Sequence, residues 1–466
     1  MSAPRACNME STRAMRYRAL LICVSVALLA GVHPRPADAR PASAARPAAR
    51  MHATLLSSEP AKDSTVATSP TRIYLVFSEE VEPSLGRIRL VGPGGQVVAL
   101  QSSGDPRNVS ALVAPVATPL AAGTWRVEWR IVSEDGHPID GDFTFAVGVP
   151  NAGVTAASAP PVDEARDTTT ASAPSAPPAD TASATTSAMD DVPLLPAILR
   201  GLGVGLLAAV AGLLFFLDTR RDRTRQPRAE RLVSRLSVAM ALLLALHLVV
   251  WALAVSPDRW LGGDQLAAML ASRVGRVELA RSALAVLACW ALVLARRERL
   301  AFVVAVAAIL VSSATGHSAA IHPAWTVPAR ALHLFAVAAW LGGLLWLLTL
   351  ERSGAAVVGA EAQRVSSLAL AGVIVVSLTG LVQTKFFIGE WGELVRSTYG
   401  AVTLIKIAGL GVLVLFGAYH RFRVLPRLAE AGAADGFTRT LRTEVLVMSL
   451  VILVGGLLAY VPPPQH

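Results

Sequence analysis

From residue 190 to the carboxyl end, apolar residues form eight long runs that are separated by short polar stretches. Each run is close to the length of about 20 residues that an α-helix needs to cross a bilayer. The pattern therefore predicts an eight-helix transmembrane α bundle over residues 190–466. The runs lie at 193–217, 232–254, 277–295, 300–318, 327–350, 366–388, 400–420 and 443–461.

Arginines cluster between alternate runs, and these clusters predict how the bundle is oriented. They lie at residues 220–231, 296–299 and 421–442. Connections rich in Arg and Lys stay on the cytoplasmic side of a membrane. Both ends of the bundle are therefore expected outside, and the segment before the first run is expected to be exported.

Residues 52–148 show a different pattern, with short stretches in which polar and apolar residues alternate. In Trp125–Ile131 four apolar side chains share one face, and Ile73–Phe77 and Asp142–Val147 are also typical of strands. Arg87–Val91 and Val97–Leu100 flank a Gly-Pro-Gly-Gly turn and predict a hairpin. Several short strands in about 100 residues predict a β-sandwich of the immunoglobulin-like kind.

The remaining segments are typical of a signal for export and of connecting segments. Residues 1–39 have a basic start, a short apolar stretch and small residues before a cleavage position, which predicts a signal peptide. Residues 40–51 form a short spacer. Residues 149–189 are almost entirely Ala, Pro, Ser, Thr and Asp, which predicts an extended linker. The expected location is the bacterial inner membrane, with several spans and a periplasmic amino-terminal domain.

Composition excludes several classes of protein. Hydrophobic residues make up 53% of the 466 residues and charged residues 16%, so an ordinary soluble enzyme is not expected. The net charge of +9 is carried mostly by arginines beside apolar runs, which indicates membrane topology rather than nucleic-acid binding. Three cysteines in scattered positions exclude a disulfide framework and a CxxC metal site.

The turn Ser133–Pro138 carries the clearest chemistry of the β domain. Asp135 and His137 are two residues apart, so both could face one ion, and His52 at the start of the domain could complete the site. A carboxylate and imidazoles suit a divalent first-row metal such as Cu(II). The alternative is that His137 is an ordinary histidine in a loop.

Three segments resemble the periplasmic copper-binding protein family CopC. They are LLSSEPA at 55–61, LVFSE at 75–79 and GTWRVEWRIVSEDGHPIDGDFTF at 123–145. The resemblance covers residues 52–147 and implies Cu(II) binding by His52, Asp135 and His137. In the family the first histidine begins the mature chain, whereas here residues 40–51 precede His52, so its amine would be an amide. There is no methionine between His52 and Val147, so binding of Cu(II) alone is expected.

Several ionisable residues lie within the apolar runs, where they are costly and often functional. By topology His317, His322 and His333 are expected to converge at the outer face and to admit copper. Lys406 and Glu444 are candidates for proton coupling as separate relay steps. The alternatives are interhelical hydrogen bonds for each histidine, and haem ligation by His247 and His333.

The second half resembles the inner-membrane copper resistance family CopD. The segments are SATGHSAA at 313–320, HLFAVAAWLGG at 333–343, SLTG at 377–380 and TYGAVTLIK at 398–406. The resemblance covers residues 195–461 and implies copper import, with the exported domain as donor. The sequence has no nucleotide-binding loop, so ATP-driven pumping and an enzyme are not expected. The expected partners are copper ions, the lipid bilayer and periplasmic copper carriers, but no nucleic acid. The alternative is a tethered copper buffer or sensor that moves nothing.

Overall fold

The computed structural model describes most of the β domain and of the helical region. Its described residues are 53–148, 193–219, 226–256, 262–350, 353, 355–427 and 433–464. The expected signal peptide, the spacer, His52 and the linker lie outside these residues.

The β domain consists of two sheets that enclose one apolar core. One sheet has the order β1-β3-β7-β6, and the other has the order β2-β9-β8-β4-β5 with β2 and β9 parallel. The strands in the described residues are β1 Leu55–Glu59, β2 Thr65–Val66, β3 Arg72–Phe77, β4 Arg87–Val91, β5 Val97–Leu100, β6 Ser103–Asp105, β7 Asn108–Pro115, β8 Gly123–Val132 and β9 Pro138–Val147.

The predicted strands are confirmed, and alternation explains which side chains form the core. In β8 the side chains of Trp125, Val127, Trp129 and Ile131 are all buried. Successive residues of a strand point to opposite faces, so this single stretch supplies four core residues to one sheet. β8 and β9 pair in antiparallel register over their full length, which holds the turn between them in one position.

The helical region contains a long helix at each of the eight predicted runs. Among the described residues, three short helices, α3, α6 and α9, lie between them. The bounds are α1 Leu194–Thr219, α2 Pro227–Val255, α3 Gly263–Ala271, α4 Arg273–Val293, α5 Glu298–Ser313, α6 His317–Ala320, α7 Pro323–Thr349, α8 Ala355–Ile388, α9 Glu393–Arg396, α10 Thr398–Tyr419 and α11 Ala433–Leu458.

Six of the helices in the described residues are long and apolar enough to cross a membrane, by length and composition. They are α1, α2, α7, α8, α10 and α11. The other two long helices differ for a physical reason. α4 carries Arg273, Arg276, Glu278 and Arg281 in its first half, and α5 has only 16 residues.

Helix α1 lies at the centre of the bundle and packs closely on α7. A Cβ atom added at Gly212 would lie 1.8 Å from the carbonyl oxygen of Ala338, and one at Gly342 would lie 2.3 Å from the backbone of Gly212. Two glycines therefore face each other where the helices cross. Small residues at a crossing allow backbones to approach closely.

Candidate metal centre

The turn between β8 and β9 fixes Asp135 and His137 on one side of the β domain. The amide of Gly136 donates to the carbonyl of Ser133 (2.8 Å), and the amide of Ser133 donates to the carbonyl of His137 (3.1 Å). Gly136 has φ of +92°, a conformation that glycine adopts without strain. The tight turn brings the Nδ1 atom of His137 within 2.8 Å of the Oδ2 atom of Asp135.

A second imidazole reaches Asp135 from the helical region. The Nδ1 atom of His317 lies 3.2 Å from the same Oδ2 atom of Asp135. The rings of His137 and His317 have their centroids 5.9 Å apart. Two histidines from different domains thus share one carboxylate, although no group of three His, Cys, Asp or Glu side chains among the described residues has the geometry of a ready-made metal site.

The three side chains are enclosed. The side chains of His137 and His317 are each 7% exposed, and that of Asp135 is 11% exposed. Burial acts to raise the pKa of Asp135, but the charge and hydrogen bonds of His137 and His317 outweigh it and hold that pKa well below its usual range. A void beside Asp135 and His137 leaves about 10 Å³ for the centre of a water-sized particle, which is room for one water molecule or one metal ion.

His317 is held from the far side by the end of the chain. Its Nε2 atom donates to the carbonyl of Val461 (3.1 Å), so both ring nitrogens face acceptors. The ring of Tyr460 lies against His137, with centroids 4.8 Å apart. His317 also follows Gly316, whose φ of +64° allows the sharp entry into α6.

An apolar and hydrogen-bonded contact joins the β domain to the helices. Leu85 and Val132 of the β domain are buried in one cluster with Trp251 and Met269. The Nε1 atom of Trp251 donates to the carbonyl of Gly136 (2.9 Å), so a helical residue holds the turn Ser133–Pro138 directly. A Cβ atom at Gly136 would lie 2.9 Å from Val274, so the contact also requires glycine there.

Acidic residues of the β domain meet the amino end of α4. The carboxylate of Glu82 accepts from the backbone amides of Arg273 (3.1 Å) and Val274 (3.2 Å). The guanidinium of Arg273 pairs with Glu134 (2.5 Å). Carboxylates are stabilising at helix amino ends, where backbone amides lack partners. Burial and the charge of Glu80 raise the pKa of Glu134 to about 7, although Arg273 opposes this shift.

Replacing Glu82 by Ala is expected to release the β domain from the helices. The substitution removes the acceptor for two amides at the start of α4, a loss of about 1–2 kcal/mol. The undocked fraction should therefore rise about five- to thirtyfold. Hydrogen exchange at Arg273 and Val274 in the full chain measures this change.

A matched control is Glu128→Ala, because Glu128 pairs with Arg89 within the sheet and not with the helices. It should leave exchange at the start of α4 unchanged. Equal protection of these amides in the Glu82 variant and the native chain would show that Glu82 does not hold the domains together.

The expected convergence of the membrane histidines holds for His317 but not for His322 and His333. The exposed His322 packs against Phe386, with ring centroids 5.0 Å apart. His333 lies between α7 and α8, where its Nδ1 atom is 3.0 Å from the hydroxyl of Thr379. Neither is in contact with Asp135 in the described part of the chain. The roles of all six residues as metal ligands stay predictions, namely His52, Asp135, His137, His317, His322 and His333.

His247 lines the same void as Asp135 and His137, but both of its ring nitrogens contact other residues. Arg281 donates to its Nδ1 atom (2.8 Å), so its Nε2 atom carries the hydrogen and faces the hydroxyl of Tyr460 (3.0 Å). His333 is engaged with Thr379, so the structure does not bring His247 and His333 together as a pair of haem ligands.

Glu444 pairs with His420 rather than with Lys406. The Oε2 atom of Glu444 lies 3.0 Å from the Nδ1 atom of His420, and its Oε1 atom accepts from Trp340 (3.1 Å). The side chain of His420 is buried. Lys406 lies beside Gly455 of α11 instead.

Several interface residues were not found from the sequence. Tyr460, Arg200 and Trp251 lie at run ends or within runs, where aromatic and basic residues are common for other reasons. Glu82 and Glu134 are charged residues of a kind that usually lies on the surface of a β domain. Nothing in their spacing indicates that they contact the helical region. The signal that could have found Arg200 is its position inside the first apolar run, where a charged residue is costly.

Comparison with known proteins identifies two regions of the chain. Residues 55–148 match the CopC domain, and residues 359–458 match Copper resistance protein D. Copper resistance protein C of Escherichia coli is 42% identical over 109 residues, which cover 21% of this chain and 83% of that protein.

A longer relative covers both regions. Copper transport protein CutJ of Bacillus subtilis is 22% identical over 438 residues, which cover 89% of this chain and 75% of that protein. Among solved structures, CopC from Methylosinus trichosporium OB3b is 31% identical. It aligns with a TM-score of 0.20 over 21% of this chain and 94% of that one.

Proposed function

Since this chain belongs to the copper resistance protein C family and carries a Copper resistance protein D domain in its helical region, we propose that it captures Cu(II) outside the inner membrane and passes it to the bundle for import. The observation that carries this proposal is the contact of His317 with Asp135 and His137. The residues proposed to give up and to receive copper lie side by side across the domain contact. The chain would act by binding and transport, without a catalysed reaction.

The donor set supports Cu(II) as the captured ion. Asp135 and His137 offer a carboxylate oxygen and imidazole nitrogens, and the β domain has no methionine to favour Cu(I). His52 would be the further ligand of the loaded domain. Because Nδ1 of His137 and of His317 now faces the carboxylate, loading would replace these hydrogen bonds and release protons.

His317 would be the first residue of the bundle to receive the ion. His317 and His137 both contact Asp135. The ion could therefore pass from His137 to His317 by exchanging one metal–ligand bond at a time, without movement of the whole β domain. In this proposal all eight long helices cross the membrane, with the immunoglobulin-like β domain on the periplasmic side. His322 and His333 would act further along the path. Periplasmic carriers would deliver the ion, and the bilayer would surround the helices.

Glu444 and His420 would couple transport to protons at the cytoplasmic end. The hydroxyl of Thr440 donates to the carbonyl of Phe437 (2.9 Å), so its oxygen accepts from the Nε2 atom of His420 (2.8 Å). That leaves the Nδ1 atom 3.0 Å from the Oε2 atom of Glu444, and in this proposal a proton would pass between them. The pair borders a largely apolar cavity with about 200 Å³ of room for water-sized particles.

Replacing Glu444 by Gln is expected to reduce proton-driven copper uptake to the rate of empty vesicles, because an amide cannot accept and release this proton. Copper binding by the β domain should stay unchanged. The measurement is uptake into vesicles that hold the full chain, with and without an imposed pH gradient. Glu361→Gln, at the cytoplasmic start of α8, is the control. Uptake by the Glu444 variant that still follows the pH gradient would remove Glu444 from the coupling.

A tethered copper buffer is the second candidate, and one observation favours it. Arg200 lies behind the centre, lining the same void as Asp135 and His137. A buried positive charge opposes the passage of a cation deeper into the bundle. Copper binding by the full chain without any uptake into vesicles would support this reading.

A further inference from the structure

A largely apolar cavity lies between α7, α8, α10 and α11, at the end of the bundle that the arginine clusters assign to the cytoplasm. It offers about 200 Å³ to the centres of water-sized particles. The space arises because several wall residues are small, namely Ala362 and Ala369 on α8 and Gly417 and Ala418 on α10. A Cβ atom added at Gly417 would meet no atom of the described residues within 4 Å. The four helices therefore leave this space unfilled.

The cavity is open at the side of the bundle. Leu370 of α8 is 51% exposed and Val414 of α10 is 40% exposed, although both line the cavity. Both helices are long and apolar enough to cross a membrane, so these side chains face hydrocarbon when the bundle is in a bilayer. Water in such a cavity would find few polar partners. Acyl chains of the surrounding lipid are therefore the natural filling.

A cationic rim lies at the mouth of this cavity. Beyond its last α-helical turn, α10 continues as a wider π-helical turn over His420–Val424. The wider turn lets His420, Arg421 and Phe422 all line the cavity, whereas three successive residues of an α-helix span about 200°. The exposed guanidinium of Arg421 donates to the hydroxyl of Ser366 on α8 (3.2 Å), so it bridges the opening. It forms no ion pair with any described carboxylate, and its charge is available to an outside anion.

The one acidic residue among the described residues that line the cavity is Glu444, and it is buried. Its Oε1 atom accepts from Trp340 (3.1 Å), and its Oε2 atom lies 3.0 Å from the Nδ1 atom of His420. The acid is thus engaged within the bundle, whereas the arginine at the mouth is exposed. An apolar interior with a cationic rim suits a molecule that has an apolar tail and an anionic head.

We propose that this cavity binds one acyl chain of an anionic phospholipid from the cytoplasmic leaflet, with the lipid phosphate on Arg421. The acyl chain fills the space that the small residues leave. The guanidinium offers a rigid fork of donors that matches phosphate. Basic pockets between membrane helices on the cytoplasmic side are known to hold lipid headgroups. The site requires no copper, so it stands or falls separately from the transport function.

The first test measures the thermal stability of the copper-free full chain in detergent. Phosphatidylglycerol or phosphatidylcholine with the same acyl chains is added in increasing amounts. A ligand that binds the folded state raises Tm in proportion to the logarithm of its concentration once the site is filled. We expect the larger rise with phosphatidylglycerol. Gly417→Leu should abolish the difference between the lipids, because the leucine fills the cavity.

Gly411→Leu is the matched control for this substitution. A Cβ atom at Gly411 also meets no described atom within 4 Å, but Gly411 does not line the cavity. Its preference for phosphatidylglycerol should therefore equal that of the native chain. A native chain that responds equally to both lipids would overturn the proposal, and so would a Gly417 variant that keeps the native preference.

The headgroup contact is tested by Arg421→Gln. Loss of one arginine near the membrane surface should raise the phosphatidylglycerol concentration needed for the same Tm about fivefold. Arg297→Gln, at an exposed arginine between α4 and α5, should respond as the native chain does. Equal responses of these two variants would remove Arg421 from the site and overturn the proposal.

The second test needs no substitution and remains decisive if the Gly417 variant does not fold. Crystals of the native chain grown with phosphatidylglycerol that is brominated on its acyl chains should show anomalous peaks inside the cavity beside Gly417. The phosphate should lie within hydrogen-bond distance of Arg421. Bromine peaks only on the outer surface of the bundle would overturn the proposal. An acyl chain in the cavity without a phosphate at Arg421 would equally overturn it.

Discussion

Asp135→Asn is expected to weaken Cu(II) binding by the full chain about 100-fold or more and to stop copper uptake. Asn keeps the shape of the side chain, but it supplies no negative charge to the ion and cannot hold two imidazoles in place. Loss of a residue that only orients ligands already costs about 10- to 100-fold in metal affinity, and Asp135 would both bind and orient. The measurement is a competition titration with a Cu(II) chelator of known affinity.

The control for this prediction is Asp142→Asn. Asp142 lies on β9, seven residues from Asp135, and its side chain is exposed. The same change of charge on the same domain should leave the affinity at the native value. Equal weakening in both variants would mean that general electrostatic attraction, and not a site at Asp135, binds the ion.

His317→Gln is expected to separate capture from transport. His137 and Asp135 remain in the β domain, so Cu(II) should still bind, whereas the first receiving group of the bundle is lost and uptake should fall to background. Two measurements on one preparation are needed, namely Cu(II) affinity of the full chain and copper uptake into vesicles. The ratio of uptake to bound copper is the quantity that should change.

His322→Gln provides the comparison, because His322 is exposed and packs on Phe386 without contact to Asp135. The structure predicts that its uptake exceeds that of the His317 variant. Full uptake by the His317 variant would exclude transfer through this residue. Loss of uptake in the His322 variant alone would place the entry at His322.

The sequence predicted the elements of this protein well, because both periodicities are strong. The alternation in Trp125–Ile131 and the eight apolar runs reflect which residues of each segment are buried. This pattern is visible within each segment, without knowledge of the rest of the fold. The count of spanning helices was harder, since α4 carries charges that other helices neutralise or bury. Arg281 and Glu278 within α4 form an ion pair three residues apart. Such a pair makes the segment look polar in the sequence, even where both side chains are buried in the fold.

The candidate centre was predicted in part, and the reason lies in how it is built. Asp135 and His137 share one turn, so their spacing in the chain places them together. His317 is 182 residues from Asp135 in the numbering, and only the docking of two domains brings it there. The pairing of Glu82 with the amides of Arg273 and Val274 depends on the same docking. Local patterns do not contain this information.

In the proposed copper site, the enclosure of Asp135 and His137 would limit how quickly copper exchanges. A chelator larger than one water molecule cannot reach an ion beside side chains that are 7% and 11% exposed while Trp251 holds the turn. Removal of copper by a bulky chelator is then limited by the rate at which the domain lifts off, whatever the chelator concentration. The strength of the domain contact would therefore set the residence time of the ion. Weakening that contact should shorten the residence time.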